Sequence, residues 1–223
     1  MTGAVKMFRL DLLSMQVYFK SYLVFFLYPL LFAWWEPVGM AVMAGMMLAM
    51  LGGSIFSVQE KNKLERLYGM LSISDSSLVA GRYLFLLANC LAIQLVILPL
   101  HFAVSRLIGK TPSGSELLFA MGLSYFLFWL QCSYQIPLFI KFGYTKMRIW
   151  ATAPFIVIAL SSVLFTYTLG DALKARGPYL EKAIYYMYIN PLQPMLTLIA
   201  LGTLLGAVSY LISIGAYRST KRR

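Results

Sequence analysis

Few side chains in this sequence could make or break bonds, and they stand apart from one another. The one histidine, His101, and the two cysteines, Cys90 and Cys132, all fall inside apolar runs. A zinc centre or a nucleophilic pair needs several such groups at close, regular spacing. No H-E-x-x-H occurs, and no carboxylate pair lies within an apolar run. The cysteines therefore read as buried free thiols and His101 as an interfacial histidine. Leu107-Ile108-Gly109-Lys110-Thr111 ends like a phosphate-binding loop, but Val104 stands where the first glycine belongs. The stretch also follows an apolar helix and not a strand, so it is rejected as a nucleotide site. The chain reads as a non-enzyme with no cofactor or metal of its own. Asn89, Gln94 and Gln131 are the main polar side chains within the apolar runs. They either bond between helices or line a path.

The densest polar chemistry lies between Ser57 and Ser77. Glu60, Lys61, Lys63, Glu65 and Arg66 crowd its first half. Leu64, Leu67, Tyr68 and Leu71 recur at i, i+3, i+4 and i+7, which predicts one apolar ridge on a short helix. Ser74 or Asp75 then suits the cap of the next helix. A short helix with both signs of charge and an apolar ridge fits a groove on a soluble partner; the alternative is an interfacial helix that anchors its loop.

The elements that hold these residues are membrane helices. Of 223 residues, 60% are hydrophobic and only 12% charged, whereas soluble domains are about 45–50% apolar and about a quarter charged. Apolar runs recur at roughly 21–35, 38–56, 82–104, 117–137, 149–169 and 192–216, each near the length a bilayer demands. The expected fold is an all-α integral membrane protein of six spans in one domain, 1–223. The net charge of +11 would suit nucleic acid, but the basic residues sit in clusters between apolar runs and form no stripe. With both termini in the cytoplasm, 14 of the 19 Lys and Arg lie inside and 5 outside, as the positive-inside rule requires.

Residues 1–20 predict an amphipathic helix lying in the inner interface, with Phe8, Leu12 and Met15 on its apolar side and Arg9 near headgroups. No small-residue cleavage site follows it. Segment 57–81 is the longest inside loop; segment 170–191 is the longest outside, rich in tyrosine and expected along the outer interface. Along the second span Ala41, Gly45, Ala49, Gly53 and Ser57 form a stripe of small residues every fourth position, which lets another helix approach closely. The stripe serves packing within the chain or between two chains. Gly202 and Gly206 add one G-x-x-x-G to the last span, and Met40, Met43, Met46, Met47 and Met50 flank the stripe.

A longer pattern joins these pieces: an apolar second span, then Glu60-Lys61-Asn62-Lys63, then Leu71-Ser72-Ile73-Ser74, then Gly81-Arg82-Tyr83-Leu84 opening the third. It resembles the ABC-2 class of ABC-exporter permeases, in the small six-span branch that includes phenol-soluble modulin exporters. In that class the motif is nearer Leu-Pro-Ile-Ser, with Lys where Arg82 stands; Ser72 replaces the Pro here. The resemblance implies a cytosolic ATPase subunit, carrying ATP and Mg, that docks on the N-terminal helix and on the loop through Glu60–Ser74. It implies a second permease chain, identical or paralogous, and a bacterial cytoplasmic membrane. It also implies export of amphipathic peptides. A membrane anchor or assembly subunit, or a passive channel or secondary carrier, are the rival readings; a carrier would show mid-membrane charges and broken helices.

Overall fold

The computed structural model describes residues 3–16, 29–30, 37–64, 68, 73–109, 113–164 and 189–221. Helix α1 (Gly3–Gln16) is followed by α2 (Pro37–Lys61), α3 (Asp75–Leu107), α4 (Gly114–Phe142), α5 (Tyr144–Ala151), α6 (Ala153–Leu164) and α7 (Leu192–Lys221). No strand occurs among the described residues. Four of these helices are long and apolar enough to cross a membrane: α2 from Gly39, α3, α4, and α7 as far as Thr220. They correspond to the second, third, fourth and sixth expected spans. The first, at 21–35, lies almost wholly outside the described residues, as do 170–188 of the long outer segment.

The expected fifth span, 149–169, is corrected at its start. Its first residues belong to α5, and the helix breaks at Thr152 before resuming as α6. Two local causes are visible. Thr152 Oγ1 donates to the Ile149 carbonyl at 2.6 Å, and Pro154 has no N–H to continue the ladder. The carbonyl of Ala151 at this break accepts from Gln131 Nε2 at 2.8 Å and from Gln135 Nε2 at 3.0 Å. Two buried glutamines of α4 thus satisfy a helix end that hydrocarbon could not.

Close approach of helices organises the bundle. The small stripe of α2 packs on α4 within the chain. A Cβ on Gly45 would lie 2.3 Å from Ser124 Oγ and 2.5 Å from its carbonyl oxygen, and one on Gly53 would lie 2.9 Å from the Phe139 ring. Ala41 and Ala49 are fully buried. Gly202 and Gly206 of α7 meet Tyr125 and Trp129 of α4 in the same way. The core between α2, α3 and α4 holds Met40, Leu86, Cys90, Phe128 and Cys132; both cysteines are free. Tyr83 Oη bonds Ser209 Oγ at 2.6 Å and Ser213 Oγ at 2.9 Å while its ring stacks on Trp129. The far side of α7 presents Leu196, Leu204 and Leu211 outward, a face suited to lipid.

Candidate functional site

At one end of the bundle α2 stops and α3 starts, and α1 lies across the junction. Helix α2 closes with Asn62 N–H donating to Val58 and Lys63 N–H to Glu60, and Lys63 takes φ +50°. That left-handed residue turns the chain out of the helix. Helix α3 opens on Ser74, whose backbone is extended and whose Oγ accepts from Ser77 N–H at 3.3 Å. The hydroxyl thus satisfies an orphan donor of the first turn.

The face of α1 that meets the bundle is Met7, Asp11 and Met15. Met7 packs with Tyr68 and Leu78; Met15 packs with Ile55, Val58 and Phe85. Gly81 permits this contact: a Cβ there would lie 2.5 Å from Met7 Cβ and 2.7 Å from the Ala4 carbonyl oxygen. The backbone neighbour cannot rotate away. Gly81→Leu is therefore expected to lift α1 off α3, seen as new protease cleavage within residues 3–16; an unchanged digestion pattern would contradict this packing.

Two charged side chains are buried at this junction. Asp11 is fully buried, and both carboxylate oxygens lack a hydrogen-bond partner. Burial raises its pKa from 3.8 to about 6, with the Arg82 charge pulling the other way. Arg82 is 3% exposed. One of its amino groups donates to Gln59 Oε1, its guanidinium lies 4.5 Å above the Phe56 ring, and its Nε has no hydrogen-bond partner. Tyr68 completes the group: burial and the Asp11 charge push its phenol up to about 12. Sequence periodicity passed over Asp11. The signal was there, since Asp11 sits one turn from both Met7 and Met15.

The other predicted site residues divide plainly. On α1, Met15 faces inward and Phe8 is half-buried against Phe85. Arg9 and Leu12 are exposed, as is Leu13. In the loop, Glu60, Lys61 and Lys63 are exposed, whereas Leu64 is half-buried and Tyr68 is 5% exposed. The described part of the ridge thus packs on this chain's own α1 and α3, because Met7 offers it an apolar surface. Glu65, Arg66, Leu67, Leu71 and Ser72 lie outside the described residues; Ile73 packs beside Tyr68 and Ser74 is the cap. Of the polar span residues, Asn89 donates to Phe85 of its own helix, while Gln94 donates to Ser124 across to α4. His101 is buried, with Phe102 edge-on at 6.0 Å. Among the described residues no three His, Cys, Asp or Glu stand together as metal ligands would.

A buried arginine near the start of α3 thus lies at the junction that α1 covers. The sequence model of the ABC-2 family transporter protein matches residues 6–218, from α1 through α7. The chain belongs to the ABC-2 transporter family. It is the permease of an ABC transporter, a multi-pass transmembrane subunit of a generally non-catalytic kind. Searches of the curated proteins and of the solved structures give no match. In this permease the Glu60 carboxylate also reaches sideways: it accepts the Thr145 N–H at 3.0 Å and so caps α5. Gly143, at φ +85°, lets the chain turn tightly between α4 and α5 beside that carboxylate.

Proposed function

We propose that this permease is the membrane subunit of an exporter driven by a separate ATPase chain, which docks where α1 covers the α2–α3 junction. The observation that carries the reading is the keying of α1 to α3 through Gly81 and the sealed Asp11–Arg82 couple. A push on α1 cannot dissipate in a loose contact; it moves the third span. Arg9, Leu12 and Leu13 on the open side of α1, with Lys61 and Lys63 beside Glu60, supply the apolar and charged surface a partner would grip. Six spans, cytoplasmic termini, a bacterial cytoplasmic membrane and a pair of permease chains complete the proposal. ATP binding closes the partners, the junction is driven, and the two permeases rock around a path between them. The cargo we propose is an amphipathic peptide; half-buried Met43, Met47 and Met50 of α2 give an adaptable apolar surface.

The test is co-expression with the ATPase encoded beside it, purification in lipid, and ATP turnover with and without amphipathic peptides. A stable complex stimulated by peptide is expected. Leu12→Asp with Leu13→Asp should abolish co-purification while the permease alone stays folded. A complex that persists in that variant overturns the docking surface, and turnover indifferent to peptide overturns the cargo.

A further inference from the structure

At the same end of the bundle a cavity of about 480 Å³ opens between the ends of α2, α3, α4 and α7. Its wall carries three cations, Lys63, Arg82 and Lys146, against one carboxylate, Glu60. Glu60 is already engaged by the Thr145 N–H. Arg82 is almost wholly buried, yet its Nε has no hydrogen-bond partner. An unsatisfied guanidinium donor at the wall of a polar cavity is costly unless something accepts from it. Gln59 and Phe56 engage other parts of the same group, and the excess of cations along the wall favours an anion in the cavity.

A second feature narrows the ligand. A groove of about 370 Å³ runs between α4 and α7, lined mainly by apolar atoms of Pro137, Leu138, Ile212 and Ala216. Phe142 lines both the groove and the cavity. Lys141, which also lines the groove, holds its ammonium 5.2 Å from the centre of that ring. A cationic pocket and an apolar groove thus lie on either side of Phe142.

We propose that this cavity is a binding site for a phosphate-bearing anion, and that the neighbouring groove suits it to the headgroup and first acyl carbons of an anionic lipid. Phosphate oxygens would pair with Lys146 and Lys63 in the field of the Arg82 charge, while an acyl chain would lie along Leu138 and Ile212. A lipid seated there would brace the ends of α4 and α7 against the junction that α1 covers. The site needs neither an ATPase nor a transported cargo, so its failure and that of the exporter reading can be told apart.

The full-length permease is purified in detergent, exchanged into vesicles of mixed anionic and zwitterionic phospholipid, extracted again, and its retained lipid measured by mass spectrometry. Selective retention of the anionic lipid is expected. Lys146→Gln, at an exposed position that folding does not need, should reduce that retention about fivefold, the effect of about 1 kcal/mol per basic contact near a charged surface. Lys146→Arg should restore it. Lys6→Gln, on the exposed side of α1, should not change it. A second arm titrates inorganic phosphate into lipid-depleted protein by calorimetry. Saturable binding lost in Lys146→Gln, without selective lipid retention, assigns the site to the free anion. Equal retention of both lipids and no phosphate binding, with Lys146→Gln matching the wild type, overturns the proposal.

Discussion

Arg82→Met is expected to loosen the amino-terminal junction by roughly 1–3 kcal/mol at neutral pH, the usual cost of taking a partner from a buried polar group. Asp11 is left under α1 with no counter-charge and no hydrogen bond, and Gln59 Oε1 loses the donor it had in Arg82. The loss is read as faster amide exchange along residues 3–16 in lipid discs, by a factor of about five to a hundred. Asp11→Asn combined with Arg82→Met removes the stranded charge and recovers most of the protection. If the double variant is as loose as the single one, the two residues do not form a couple. The single variant Asp11→Asn isolates the carboxyl. Its folded-state pKa, about 6, lies above the ordinary 3.8, so the folded protein holds this proton more tightly than the unfolded chain does. Its contribution is therefore fully present below pH 3.8 and is lost as the pH rises through 6, a swing of roughly 3 kcal/mol. Docking of α1 should weaken between pH 4 and pH 7 in the wild type, and that part of the slope should vanish in Asp11→Asn.

The second large effect lies inside the bundle. Gly45→Val places a branched side chain where even a Cβ would sit 2.5 Å from the Ser124 carbonyl oxygen. No rotamer relieves an overlap with backbone, so α2 and α4 must separate. The shift also strains the bond from Gln94 Nε2 to Ser124 Oγ. The expected cost is about 3 kcal/mol, at the upper end of ordinary overpacking, seen as a lowered midpoint in thermal unfolding of the solubilised permease. Gly215→Ala is the matched control. Nothing lies within 4 Å of a Cβ there, and a glycine inside a helix gives up about 1 kcal/mol relative to alanine; that variant should be neutral or more stable. Equal midpoints for both variants would refute the close packing of α2 on α4.

Apolar length alone made α2, α3, α4 and α7 legible in the sequence, because hydrocarbon imposes a minimum run that few other environments require. Ser74 was legible as a cap from its side chain, and the stripe through Gly45 and Gly53 from its four-residue period. Asp11 was legible only through its spacing, one turn from Met7 and from Met15. The wheel of α1 sets Phe8, Leu12 and Met15 on one apolar side facing the interface and gives a carboxylate no place there. The structure turns Leu12 out and Asp11 in, because Gly81 and Arg82, far along the chain, offer a close backbone contact and a charge. Tyr68 misled for a related reason. Its spacing announced an apolar ridge, but periodicity says only that a face is apolar, not whether a partner or the chain's own helix covers it. The break at Thr152 was hidden inside an otherwise continuous apolar run, where only Pro154 hinted at it.

The bond from Thr145 N–H to Glu60 has a consequence for how load is shared. It bridges two connections that are well separated in sequence, the one leaving α2 and the one between α4 and α5. The carboxylate is exposed, so the bridge contributes about 1 kcal/mol and ties the two turns without locking them. In the exporter proposed above, a displacement of the α2–α3 turn would reach the elbow before α6 through this one bond.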